Sequence, residues 1–183
     1  ENPAPTPEEV EAVTRMAKPA AGELLRTLVG ELTAAMEEGG PVQGVELCSV
    51  EAVPLTQTVE AGLRPGMEVK RTSFRYRNPG NAPDPAEREA LRHFEEALEV
   101  EGSAPSSFVQ RVSSEELRYY QPLFVGEVCL SCHGPPESMS PEVQALIQER
   151  YPEDLATGYQ AGDFRGLVRV SVPASLMDTE SPG

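Results

Sequence analysis

Phe108-Val109-Gln110-Arg111-Val112, the polar Ser113-Ser114-Glu115-Glu116, and then Leu117-Arg118-Tyr119-Tyr120-Gln121-Pro122-Leu123-Phe124-Val125 form the stretch whose reading settles the fold class. Two runs rich in β-branched and aromatic residues flank a short polar connection, which predicts a hairpin. A connection this short joins antiparallel strands, because parallel strands need a crossover of a dozen residues or more. Upstream, residues 69–77 alternate, with Lys70, Thr72, Phe74 and Tyr76 on one face and Val69, Arg71, Ser73, Arg75 and Arg77 on the other, predicting another strand. Residues 166–172 alternate in the same way and predict the last one. Asn78-Pro79-Gly80-Asn81-Ala82-Pro83 is loop chemistry, Asp84-Pro85-Ala86-Glu87 caps a helix running to about Val100, and Ser140-Pro141 opens a helix that Pro152 stops. Helices interspersed with hairpins, without a βαβ repeat, predict an α+β fold: one antiparallel sheet with helices packed around it.

The N-terminal end is helical. Thr6-Pro7-Glu8-Glu9 combines an N-cap, a proline in the first turn and a glutamate three residues after the cap. Apolar residues from Val10 to Met36 recur at helical spacing, Pro19 is expected to kink or split the run, and Gly39-Gly40-Pro41 to end it. Residues 42–48 read as a short strand or turn and 50–61 as weakly helical. The organisation expected is a helical segment over 1–41, a main domain over 42–175 and a tail over 176–183.

Thirty acidic against fifteen basic residues give a formal charge of −15. A polyanion repels phosphate backbones, so nucleic-acid binding is not expected. No apolar run approaches the roughly 20 residues that cross a bilayer. The chain opens at Glu1 without an initiator Met or a hydrophobic leader, which is the expectation for a protein whose signal or anchor has been removed.

Chemistry concentrates in Cys129-Leu130-Ser131-Cys132-His133-Gly134. C-x-x-C-H is the attachment signature of haem c. Two thiols one helical turn apart add to the two vinyl groups of a porphyrin, and the adjacent imidazole meets the iron from the proximal side. Aromatic residues are only 5% of the chain, which leaves hydrophobic bulk for a porphyrin to supply. Three alternatives compete. A thioredoxin-like pair wants a βαβ context that is absent here. A zinc site can be counted from Cys48, Cys129, Cys132 and His133, but the neighbours Cys132 and His133 would strain to reach one tetrahedral ion. A Cys129–Cys132 disulfide closes a very small loop and adds little stability.

The second axial position has several candidates by residue type: Cys48, His93, Met16, Met36, Met67, Met139 and Met177. His93 lies at the margin of an apolar stripe formed by Leu91, Phe94 and Leu98, and a lone Cys48 is as well explained as a small buried hydrophobe. Arg64, Lys70, Arg71, Arg75 and Arg77 cluster in an acidic chain, where they either pair with surface acids or meet the two propionates of a haem. Arg71 and Arg77 are the expected propionate partners, with Tyr120 and Tyr159 as hydrogen-bond donors of the pocket.

These residues resemble a known family: the PAS-like haem-c domains long catalogued as a domain of unknown function. That family includes a stand-alone photosystem II-associated cytochrome and the periplasmic sensor portions of some histidine kinases. The resemblance rests on Arg71-Thr72-Ser73, on Arg77-Asn78-Pro79 with Asn81-Ala82-Pro83-Asp84, and on Tyr120-Gln121-Pro122 running into Cys129 to Gly134. Tyr151-Pro152, Gly158-Tyr159, Gly162-Asp163 and Arg165-Gly166 extend it. It implies a PAS-like sheet, one covalent haem c, His133 as the proximal ligand and Cys48 as the distal one. A thiolate favours the ferric state, so a His/Cys couple implies a low potential. The function that follows is redox or CO/NO sensing by a non-enzymatic periplasmic protein; the alternative is a soluble electron-transfer cytochrome docking on a partner protein. Amphipathic N-terminal helices suit a homodimer, and a monomer equally.

Overall fold

The computed structural model describes residues 2–178, so positions 179–183 of the expected tail lie outside the described residues. Helices and strands follow in the order α1 (Pro7–Val50), α2 (Ala52–Ala61), β1 (Glu68–Thr72), α3 (Pro85–Glu101), β2 (Phe108–Arg111), β3 (Glu116–Phe124), α4 (Leu130–His133), α5 (Pro141–Arg150), β4 (Phe164–Pro173) and α6 (Ser175–Asp178). The four strands make one sheet of order β1-β4-β3-β2, with every neighbouring pair antiparallel. The fold is α+β, as the hairpin predicted. No described helix is long and apolar enough to cross a membrane.

Alternation along the strands gives the sheet two different faces. Val168, Val170 and Val172 of β4, Leu117 and Tyr119 of β3, and Val69 of β1 point to α1, where Val13, Ala17, Ala21 and Leu24 meet them in one buried cluster. The alanines let the helix lie close to the sheet. The first part of α1, which the sequence assigned to a separate helical segment, therefore supplies a layer of the main core. Leu167 and Tyr120 point the other way and are covered by Ala90, Leu91 and Phe94 of α3.

That second face also carries a buried polar network. Glu87 is fully buried and takes hydrogen bonds from Lys70 Nζ (2.8 Å), Thr72 Oγ1 (3.2 Å) and the Asp84 backbone N–H (2.9 Å). Arg118 joins Asp84 and Glu116, each at 2.7 Å. The capping box of α3, legible in the sequence, is thus also an anchor holding α3 to β1.

Three expectations need correction. Pro19 does not split α1; the one residue with non-helical dihedrals inside it is Gly40 (φ 70°, ψ −163°). A proline in the first turn costs no hydrogen bond, so Pro41 restarts the helix at once. Residues 42–48 are therefore helical, not strand or turn. A Cβ on Gly44 would meet Leu32 Cδ1 at 3.2 Å and Met36 Cγ at 3.0 Å. A straight helix would hold positions 32 and 44 about 18 Å apart along its axis, so the chain folds back at Gly40. The strand expected over 69–77 stops at Thr72. Beyond it Ser73 turns away, its hydroxyl donating to the Arg165 carbonyl (2.7 Å) and its N–H facing the Asn81 carbonyl (3.4 Å).

Candidate functional site

Beyond β3 the chain enters a single helical turn, α4, that carries Leu130-Ser131-Cys132-His133, with Cys129 just before it. Gly134 ends it, and its N–H closes on the Leu130 carbonyl at 2.9 Å. This turn and the folded-back part of α1 form two walls of a cleft of about 280 Å³. Cys129, Cys132, His133 and Cys48 all line it. Leu25, Leu28, Leu32, Met36, Leu47 and Leu55 supply apolar walls. All three thiols are free. Among the described residues no three His, Cys, Asp or Glu side chains converge to hold a metal ion directly, the counted zinc set included.

His133 is held by its neighbours. Nδ1 lies 2.8 Å from the Ala156 carbonyl, which can only accept, so Nδ1 carries the proton and Nε2 keeps its lone pair. Burial, reinforced by the nearby Arg77 and Arg165 cations and opposed by the Ala156 carbonyl, pushes the imidazole down to about 3. It is neutral at ordinary pH. Its own carbonyl accepts from Tyr159 N–H (2.9 Å), and the Tyr159 ring stands edge-on to the imidazole at 6.3 Å. A neutral imidazole tied through Nδ1 to a backbone carbonyl is the arrangement that presents Nε2 to a metal.

Arg77 secures the same turn. Its Nε meets Asp154 at 2.9 Å and its Nη2 donates to Cys132 O (2.6 Å), Asp154 (3.3 Å) and Ala156 O (3.1 Å). Sequence reasoning expected Arg77 at a propionate; most of its donors are instead committed to protein oxygens around α4. Arg75 is similarly occupied, donating to the carbonyls of Leu155 and Thr157 and stacking on Tyr159 at 4.1 Å. Lys70 is on the far face with Glu87. Arg71 faces the cleft and makes no hydrogen bond or ion pair among the described residues. Burial pulls it below its ordinary value, against the attraction of Cys48 and Tyr151. Burial likewise raises the Cys48 thiol, while Arg71 and Arg77 pull it back.

Tyr120 does not join this group. It points to the α3 face, and its hydroxyl donates to Gln110 Oε1 at 2.9 Å. One register step on β3 decides this, because Leu123, on the opposite face, does line the cleft. Tyr159 supports His133 from behind. Among the other axial candidates, His93 is exposed on α3 and stacks on Phe108 at 4.2 Å. Met67 is in the core under α1, and Met36 alone of the methionines lines the cleft. Arg165 and Tyr151 also line the cleft; Arg165-Gly166 and Tyr151-Pro152 stood out in the sequence, but nothing local showed which way they point.

The sequence model of the Tll0287-like family matches residues 4–173. The chain belongs to the Tll0287-like family. Among solved structures, the crystal structure of the cyanobacterial heme-protein Tll0287 is similar, with a TM-score of 0.63 at 26% identity, covering 93% of this chain and 98% of that one. No curated protein matches. The Tll0287-like match begins at residue 4, so it takes in α1 as well as the sheet, in keeping with the buried seam between them.

The donor set fits a covalently held haem. Two free thiols sit one turn apart beside an imidazole with a free Nε2, and a further thiol lines the same apolar cleft. Arg71, Arg77 and Arg165 line that cleft and, among the described residues, no Asp or Glu does, in a chain of charge −15.

Proposed function

We propose that the chain is a c-type haem protein with His133 and Cys48 as the two axial ligands. The observation that carries the reading is the held, neutral His133, whose Nε2 is left free in a cleft that all three cysteines line. The similar heme-protein Tll0287 and the family match support it. Cys129 and Cys132 each add S–H across a vinyl group, forming one C–S and one C–H bond with no leaving group. Such attachment is completed outside the cytoplasm, so we place the protein in the periplasm. The bound iron supplies one-electron exchange and a position for CO or NO when a ligand leaves.

His133 is the fixed ligand, since Ala156, Tyr159 and the Arg77 network hold its turn. Cys48 is the movable one: it rides on the folded-back helix beyond Gly40, would hold the ferric metal as thiolate, and would take up a proton on release from the reduced one. We read this as redox or diatomic-gas sensing, carried by the PAS-like sheet and without enzymatic activity. The charge of −15 favours a second reading, electron transfer to a basic partner. The denatured protein should keep its haem by mass. Cys48→Ser should abolish the thiolate charge-transfer band, and an unchanged spectrum refutes the distal assignment. Rapid CO binding by the ferrous protein supports sensing; an inert six-coordinate ferrous state at an accessible potential supports electron transfer.

A further inference from the structure

Side-chain donors around a cleft are usually bonded to the protein, and those that are not are left for water or a ligand. The basic side chains around the cleft follow this rule, with one exception. Arg77 is spent on Asp154 and the carbonyls of Cys132 and Ala156. Arg75 is spent on Leu155 and Thr157, and Arg165 donates to the Arg75 carbonyl at 3.1 Å. Arg71 has no such partner among the described residues. The hydroxyl of Tyr151 is in the same condition. Tyr151 is 9% exposed, packs its ring beside Val45, Cys132 and Ile147, and lines the cleft, yet its hydroxyl has no hydrogen-bond partner among the described residues.

We propose that Tyr151 is a haem-binding residue, its hydroxyl and the Arg71 guanidinium forming a clamp for one propionate carboxylate. The inference rests on the haem reading above and adds to it a residue and a role. A planar fork that offers two parallel N–H groups matches a carboxylate, and a phenol adds a third donor. Both side chains line the same cleft as Cys48, and Tyr151 packs against Val45 and Cys132 of its wall. Among the described residues no acidic side chain lines the cleft, so a carboxylate entering with the porphyrin meets cations there. Tyr120 lies on the other face of the sheet, and most of the donors of Arg77 are already taken.

The test uses the haem-loaded protein and its Tyr151→Phe, Arg71→Leu and double variants, read by resonance Raman in the propionate bending region and by midpoint potential. Tyr151→Phe and Arg71→Leu should shift the same bending band, leave the other propionate band in place, and show no additive shift when combined. Arg71→Leu should also lower the potential, since a cation is removed beside the haem. Arg71→Lys should keep the potential near that of the parent while still shifting the band, because it keeps the charge and loses the fork. Propionate bands unmoved in Tyr151→Phe and Arg71→Leu, with the haem mass intact, overturn the clamp. So does a Tyr151→Phe variant that moves only the thiolate charge-transfer band, which would aim the hydroxyl at Cys48 instead. A chain with no haem by mass overturns the underlying reading, and is told apart from failure of the clamp by that mass alone.

Discussion

Replacing Arg77 by Met removes the cation that ties α4 to the segment 154–156 while keeping a similar apolar stem. Its ion pair with Asp154 is two-pronged, at 2.9 and 3.3 Å, and the two side chains are 10% and 11% exposed. Breaking such a buried pair from one side costs about 3–5 kcal/mol, because the remaining charge stays desolvated. Asp154 would keep only the Ala156 N–H at 3.1 Å, and the Cys132 and Ala156 carbonyls would lose a charged donor. With an m-value of about 2 kcal/mol/M, the urea midpoint should fall by about 2 M. Restoring neutrality with Asp154→Leu on top should recover part of the loss, so the double variant should be more stable than Arg77→Met. The assay is urea denaturation followed by far-UV circular dichroism on the parent, Arg77→Met and the double variant. A loss under about 1 kcal/mol, the range of an exposed pair, would refute the claim that this bridge holds the site together.

The remaining predictions concern the cleft wall, pH and potential. Gly166 has φ 150°, and a Cβ there would run into the Thr72 carbonyl oxygen and lie 3.0 Å from Ser73 Cβ. Gly166→Ala should therefore cost at least the roughly 1–3 kcal/mol of a strained backbone, seen as a lower urea midpoint; a neutral result refutes the close approach. Burial pushes the Asp84 and Glu116 carboxyls up, but hydrogen bonds outweigh it, from Glu87 N–H and Arg118 to Asp84 and from Arg118 and Ser171 to Glu116. Both titrate lower folded than unfolded, so their contribution is complete above about pH 5 and is lost as the pH falls through the depressed values. Stability measured from pH 6 to pH 2 should fall less steeply in Arg118→Leu than in the parent. If Cys48 takes up one proton per electron, the midpoint potential should drop by about 59 mV per pH unit, and a flat profile would refute the coupling.

Much of this was legible along the chain. The hairpin 108–125, the capping box at Asp84 and the strand at 166–172 are local patterns, and each lies where its pattern predicts. The strand expected over 69–77 ends early because its alternation continues past the point where its partner leaves: β4 residues before Leu167 pair only with β3, and Ser73 bonds to a loop. Residues 42–48 were misread because glycine-glycine-proline marks both the end of a helix and, with Gly40 at positive φ, the corner between two. The arginine cluster looked like one feature and became two, because successive strand residues face opposite sides of a sheet: Lys70 meets Glu87 while Arg71 meets the cleft.

What the sequence determined by itself is whatever depends on spacing within one turn or one strand: the paired thiols and adjacent imidazole, the caps, the two-residue alternation and the charge. Tertiary structure alone decided which groups separated by tens of residues meet. It brought Cys48 to the cleft across the Gly40 corner, sent Tyr120 away from it, spent Arg77 on α4, and left the Arg71 and Tyr151 side chains facing it. The physical reason is range: hydrogen-bonded turns and side-chain periodicity are settled by neighbours in the chain, whereas a side chain's facing is settled by burying α1 and α3 on opposite sides of one sheet.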